Sequence, residues 1–222
     1  MLAVGLALVW LGLPRLLGAT ARQPARAVLW ALRDGKPLTD ADLARGEAAL
    51  ERSRRWSGTP AYALSDLALL KLLRLEQGEE DGRAARYLAG ALEAQEAGLA
   101  QAPAGGNGWA RLAYARYRRS GLSEATRDAL ELSLLSGGLD LTLLSFRLEL
   151  ILREWDALGP EFHEAARGEI HQMTRHGRPG YDALVEIYLA SPRAGVIDAA
   201  LADSPAQQAQ FSRRLEHRIG SP

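Results

Sequence analysis

The sequence predicts an all-α protein: helical hairpins stacked as an α-solenoid, preceded by an N-terminal apolar membrane helix. Three observations lead there. Apolar residues recur at helical spacing along most of the chain, and period-two runs of β-branched and aromatic residues are absent. Pro, Gly and Ser-Pro breaks separate the periodic segments at short intervals, as in helix pairs joined by tight turns. The run Leu2 to Leu13 carries no polar side chain.

Residues 1–21, MLAVGLALVWLGLPRLLGATA, form the first region. Twelve residues, Leu2 to Leu13, precede Pro14 and Arg15. Such a length suits the core of a signal peptide, and Ala19-Thr20-Ala21 resembles a cleavage site, but no Lys or Arg precedes the run. Taken as 2–21, the segment covers about 30 Å at helical rise, the thickness of the hydrocarbon layer, with Arg15 near one end and able to snorkel. An anchor is the leading expectation; a cleaved signal and a buried amphipathic helix are the alternatives. The expected location is a bacterial inner membrane, crossed once. Arg15, Arg22, Arg26 and Arg33 all follow the apolar run, which favours a cytoplasmic soluble region. An uncleaved signal would make that region periplasmic, so the side stays open.

Residues 22–58 read as linker helices. One covers 24–33 and ends at the Asp34-Gly35 turn. The next covers 40–55, with Thr39 as its cap, Asp40 and Asp42 in its first turn, and Leu43, Ala48 and Leu50 as its apolar face. Residues 59–138 hold the helix pairs. Thr59-Pro60 starts a strongly apolar helix over 60–76 that includes Tyr62, and 82–101 follows with Tyr87, Leu88, Leu92 and Leu99 as core positions. Pro103 to Gly108 is a breaker, after which 109–119 and 123–136 form a further pair closed by Gly137-Gly138. Residues 139–222 form a C-terminal helical region, with helices over 141–157, 160–176, 180–190, 192–202 and 205–218.

Composition excludes more than it assigns. Of 222 residues, 47% are hydrophobic, enough for a substantial core. Lys plus Arg and Asp plus Glu both total 27, so nothing global draws the chain to nucleic acid. The absence of cysteine removes disulfides, thiol catalysis and thiolate metal sites. His163-Glu164 is followed by Arg167, which breaks the helical zinc-protease spacing, and His163 with His171 lacks a third ligand nearby. Gly105-Gly106-Asn107-Gly108 has neither a preceding strand nor a Gly-Lys-Ser, so it reads as a turn and not a phosphate loop. Neither a cofactor nor a metal is expected, and no residue is assigned as catalytic.

Two features remain as candidates. Arg111, Tyr114, Arg118 and Arg119 form an Arg/Tyr patch, suited to an acidic protein partner or to lipid headgroups; the competing reading is a solvated helix face. Glu149 and Glu154, with His163, could instead serve a glycan-modifying enzyme, whose carboxyl pair must stand about 5–9.5 Å apart across a cleft.

The stretch 103–138 resembles a tetratricopeptide repeat. With Trp109 at the first signature position, Leu112 and Ala113 fall on the Leu and small-residue positions, Ala125 on the small position of the second helix, and Pro103 where the preceding repeat ends. Arg116, Ala129 and Gly137 depart from the pattern, so the repeat is degenerate. In this register Trp109, Leu112, Ala113 and Ala125 are packing residues, the small ones admitting close helix approach.

A narrower likeness covers the middle third and the N-terminal segment. Asn107–Trp109, Leu112-Ala113, the run Ala129–Gly137, Asp140, Leu144, Arg147–Leu150 and Trp155 resemble the VpsP-like family of bacterial polysaccharide biosynthesis proteins. The resemblance implies a membrane-associated accessory factor in making or exporting exopolysaccharide, acting through other proteins and carrying no catalytic residues. A helical-repeat interaction protein unrelated to polysaccharide is the remaining alternative.

Overall fold

Twelve α-helices and one 3₁₀ turn make up the computed structural model, which describes residues 2–34, 36–56, 61–77 and 82–220. The side chains of 2–9 and of Leu11 lie outside that description, as do Gly35 and the expected Thr59-Pro60 helix start. No strand occurs among the described residues, so the protein is all-α. The chain divides into two compact units, Met1–Ser123 and Glu124–Pro222. The boundary falls inside the expected 59–138 block, and the two helices of the expected 109–119/123–136 pair belong to different units.

The first unit holds α1 (Leu2–Ala21), α2 (Gln23–Arg33), α3 (Asp40–Arg54), α4 (Ala61–Glu76), α5 (Arg83–Gln101) and α6 (Gly106–Ser120). Helix α1 runs unbroken through Pro14, whose ring removes the amide that would bond the Trp10 carbonyl. Its last turns are seated on α3: Gly18 is buried, and the buried Ser53 Oγ donates to the Gly18 carbonyl at 2.9 Å. Thr20 Oγ1 donates back to the Leu16 and Leu17 carbonyls of the preceding turn. Before this seat, Trp10 (80% exposed), Leu13 and Leu16 stand in the open. Among the described residues, no helix is long and apolar enough to cross a membrane. The anchor expected over 2–21 includes the side chains that lie outside the description.

Helix α3 starts as its sequence dictates. Thr39 Oγ1 accepts from the Asp42 amide, and Asp42 accepts in return from the Thr39 amide and hydroxyl. These bonds hold the Asp42 carboxyl below its ordinary 3.8. Their contribution is therefore complete above 3.8 and disappears as pH falls through the lower native value. Asp42→Ala should melt below the wild type near neutral pH, and thermal melts at decreasing pH should show that gap closing below 3.8.

The core of this unit is built from Ala25, Val28, Leu43, Ala49, Leu50, Leu67 and Leu70. Ala49 takes the place expected for Ala48, which is exposed. Tyr62, expected on the apolar face of α4, is also exposed. A chain of charges covers the α3–α4 contact. Lys71 Nζ lies 2.5 Å from Glu47, Arg74 donates to Glu47 at 3.0 Å and to Asp40 at 2.9 Å, and its guanidinium rests over the Tyr87 ring. Helix α6 begins at Gly106, not at Trp109, so the expected breaker glycines are partly helical. The reason is packing: Gly106 and Gly108 are buried, and a Cβ on Gly108 would come within 2.8 Å of Gln95 Nε2 and Leu99 Cδ2 on α5.

The second unit holds α7 (Glu124–Leu135), α8 (Leu141–Arg153), α9 (Pro160–Arg175), α10 (Arg178–Ala190), α11 (Gly195–Leu201) and α12 (Pro205–Gly220). Asp140 caps α8 by accepting from the Thr142 amide at 3.0 Å. The helix ends at Arg153, short of the expected 157, and a 3₁₀ turn over Trp155–Ala157 leads to Pro160 at the head of α9. Leu144, Leu148, Ile151, Ile170, Met173 and Leu184 fill the centre. Phe211 on α12 closes one end, its ring edge-on to Tyr188 at 5.4 Å.

Two glycines of this unit differ sharply. Gly180 is buried at the start of α10, and a Cβ there would overlap the Met173 carbonyl of α9. Gly168 sits inside α9 with nothing within 4 Å of a built Cβ. Gly168→Ala should stabilise the protein by about 0.5–1 kcal/mol, because alanine loses less chain freedom in a helix. A chemical-denaturation midpoint that does not rise would contradict this.

Candidate functional site

The Arg/Tyr patch lies on α6, the last helix of the first unit, and its four residues do not act alike. Arg111 turns inward, donating to Ser65 Oγ at 2.7 Å and to the Ser65 carbonyl at 3.2 Å on α4. Tyr114 and Arg118 both donate to the Glu76 carboxylate, and Arg118 also donates to the Tyr114 hydroxyl at 2.8 Å. Burial and the Glu76 carboxylate push the Tyr114 phenol up, while Arg118 pulls it back. Arg119 is exposed. Arg116, beside them, reaches Glu96 at 3.1 Å. The stretch is therefore a set of ties from α6 to α4 and α5, with Glu76 and Glu96 offsetting much of its charge.

The expected packing residues also separate. Leu112 and Ala113 are fully buried. Trp109 is half-buried and donates its indole N–H to the Pro103 carbonyl at 2.7 Å, which pins the α5–α6 turn to the start of α6. Ala125, expected against the partner helix, is exposed at the start of α7. It lies in the first turn of α7, one turn before the buried Ala129 on the same side of the helix, and the buried position of that first turn is Thr126.

The groups of the enzymatic alternative lie on α8, just before the 3₁₀ turn and on α9. The His163 ring stacks on Trp155 at 3.8 Å, and its Nε2 lies 2.9 Å from the Trp155 carbonyl. Glu149 lies on the outer side of α8; desolvation pushes its carboxyl up and Arg153 pulls it back. His171 Nδ1 lies 3.2 Å from Gln207. Among the described residues, no group of three or more His, Asp or Glu is placed to hold a metal ion.

The second unit holds a buried ion pair that lies outside the expected sites. Arg147 on α8 is 1% exposed, and its Nε and Nη2 lie 3.0 and 2.9 Å from Glu169 Oε2 on α9. Nη1 donates to the Ser133 carbonyl at 3.2 Å and Nη2 to the Gly138 carbonyl at 2.8 Å. Burial pushes the Glu169 carboxyl up, against the pull of Arg147. One guanidinium thus joins α7, the loop after it, α8 and α9. It is enclosed on all sides, which makes it a clasp and not a binding site.

Three surface depressions stand out among the described residues. One of about 370 Å³ lies where α1 passes into α2, with Arg22, Arg26, Trp30, Tyr62 and Asp66 among its walls. A second, of about 310 Å³, is formed by Lys71, Arg74, Arg83, Arg86 and Tyr87 around Glu47. A third, of about 140 Å³, lies on α10 and α12 and mixes Arg178, Arg214 and Arg218 with Asp182 and Glu186. None of the three is lined by His163, Glu149 or Glu154. Set against known proteins, the chain matches no family model, no curated protein and no solved structure.

Proposed function

We propose that this is a membrane-tethered, non-catalytic helical accessory protein that acts by contact with other proteins in exopolysaccharide assembly. The observation that carries the tether is α1. Its C-terminal turns are fixed on α3, while Trp10, Leu13 and Leu16 before them are exposed on a segment whose one charged residue is Arg15. Large apolar side chains exposed together on one helix call for an apolar medium or a partner. The two helical units supply surface for partners, and a solenoid-like use of the helix pairs belongs to this reading. The pathway rests on the resemblance of the 107–155 stretch to VpsP-like polysaccharide proteins.

Fractionation tests the tether. The protein should sediment with membranes and resist extraction by alkaline carbonate, and it should become soluble when residues 2–16 are removed. Recovery of the full chain in the soluble fraction without detergent would overturn the tether. Deletion of the gene should lower secreted polysaccharide in a producing strain; unchanged output would overturn the pathway.

A further inference from the structure

The depression at the base of α1 has a chemistry of its own. Arg22 is the residue before α2 and Arg26 lies one turn later, so both guanidiniums stand at the positive end of an 11-residue helix whose first turn has no acidic residue. Arg22 donates to the Tyr62 hydroxyl and lies over that ring, 5.0 Å from its centre. Arg26 lies over Trp30 at 5.5 Å. Among the described residues, neither arginine has a carboxylate within ion-pair distance. The one acid in the wall, Asp66, is raised by burial and shares its charge with Arg111 as well as Arg22. Two cations at a helix N-terminus, facing one carboxylate, leave a site that an anion would complete.

Position says which anion. The wall includes Ala19, in the last turn of α1, so the site lies where the apolar helix joins the folded unit. Trp30 and Tyr62 on its rim, and Trp56 on the same unit, are 63%, 58% and 52% exposed. Exposed Trp and Tyr beside arginines are what the headgroup layer of a bilayer favours, since each ring has an apolar body and a polar tip. Guanidinium groups match phosphate oxygens in pairs.

We propose that this groove binds the phosphate of an anionic phospholipid headgroup, with Arg22 and Arg26 on the phosphate and Trp30 and Tyr62 against the glycerol and upper acyl chain. The proposal rests on the tethered reading of α1. It makes the junction a lipid-selective seat, where a tether alone would be indifferent to headgroup.

The test uses the full chain with vesicles of phosphatidylcholine alone and of phosphatidylcholine mixed with phosphatidylglycerol, read by flotation at fixed ionic strength. Binding should be roughly tenfold tighter to the anionic vesicles. Arg22→Gln/Arg26→Gln should erase that preference and leave flotation on phosphatidylcholine unchanged, whereas Arg22→Lys/Arg26→Lys should keep part of it. Arg33→Gln, on the same helix but outside the groove wall, should keep nearly all. Circular dichroism melts identify variants that fold, and Arg26→Gln alone repeats the test if the double change does not. Equal binding of the wild type to both vesicles overturns the headgroup site with the tether intact. So does an anionic preference that survives the double Gln change, or one that Arg33→Gln reduces equally. Loss of the preference to added inorganic phosphate would reassign the groove to free phosphate and overturn the lipid. Failure to float with either vesicle overturns the tether itself, and the lipid seat with it.

Discussion

Arg147→Ala is expected to lower the stability of the second unit by about 3–5 kcal/mol, the cost of leaving a buried charge without its partner. The loss has two parts. Glu169 would remain buried without its cation, and the Ser133 and Gly138 carbonyls would each lose a donor. Chemical denaturation followed by circular dichroism measures it. The double change Arg147→Met/Glu169→Leu distinguishes the pair's net worth from the cost of breaking it. Replacing both charges by apolar groups of similar size should restore most of the loss. A single variant within about 1 kcal/mol of the wild type, the range of an exposed pair, would show that water reaches the clasp.

Gly180→Ala is the second large effect, a loss of about 1–3 kcal/mol from overpacking. The obstacle is backbone: the Met173 carbonyl sits where the new methyl group must go, and His176 Cβ is 3.1 Å away on another side. Relief requires α10 to shift against α9, and with it the buried Tyr181, Leu184 and Val185. Gly108→Ala is the instructive contrast. Its obstacles, the Gln95 amide and a Leu99 methyl, are ends of side chains that can turn aside. Melting temperatures should therefore rank Gly180→Ala well below Gly108→Ala. The reverse order would mean that the α9–α10 contact is the more pliant one.

Much of the helix pattern was legible because caps and breakers act locally. Thr39 and Asp140 fix helix starts through side-chain oxygens that accept nearby amides, and Pro160 through its preset backbone angle, and the structure places helices at all three. The glycines of 105–108 were harder to read. A glycine that permits a turn and one that admits a neighbouring helix are the same letter, and only the approach of Gln95 and Leu99 tells them apart. The Arg147–Glu169 clasp did have a signal. Arg147 continues the apolar face of Leu143, Leu144, Leu148 and Ile151, and Glu169 falls in step with Phe162, Ala166, Ile170 and Met173. A charged residue in register on each of two successive apolar faces points to a buried pair. The ties of the Arg/Tyr patch could not be read locally: its partners Ser65 and Glu76, and Glu96 for the neighbouring Arg116, lie 20 to 46 residues earlier in the chain, beyond any local pattern. The division at Ser123–Glu124 was hidden too, because the repeat register depends on spacing and carries no information about which helix packs on which.

The seat of α1 on α3 has a mechanical meaning. A domain hung from a membrane by a flexible linker roams a volume set by the linker's length and forgets its orientation. Here the last turns of α1 are part of the fold, held by the Ser53–Gly18 bond and by burial of Gly18. Tilting such a helix in a bilayer tilts the unit built on it, and rotating it turns the unit by the same angle. If α1 is the proposed tether, a partner in the same membrane would meet a surface already at a set height and heading, with the entropy of alignment largely spent before the two collide. On the proposed tether, the first unit would work as a bracket and not as a leash.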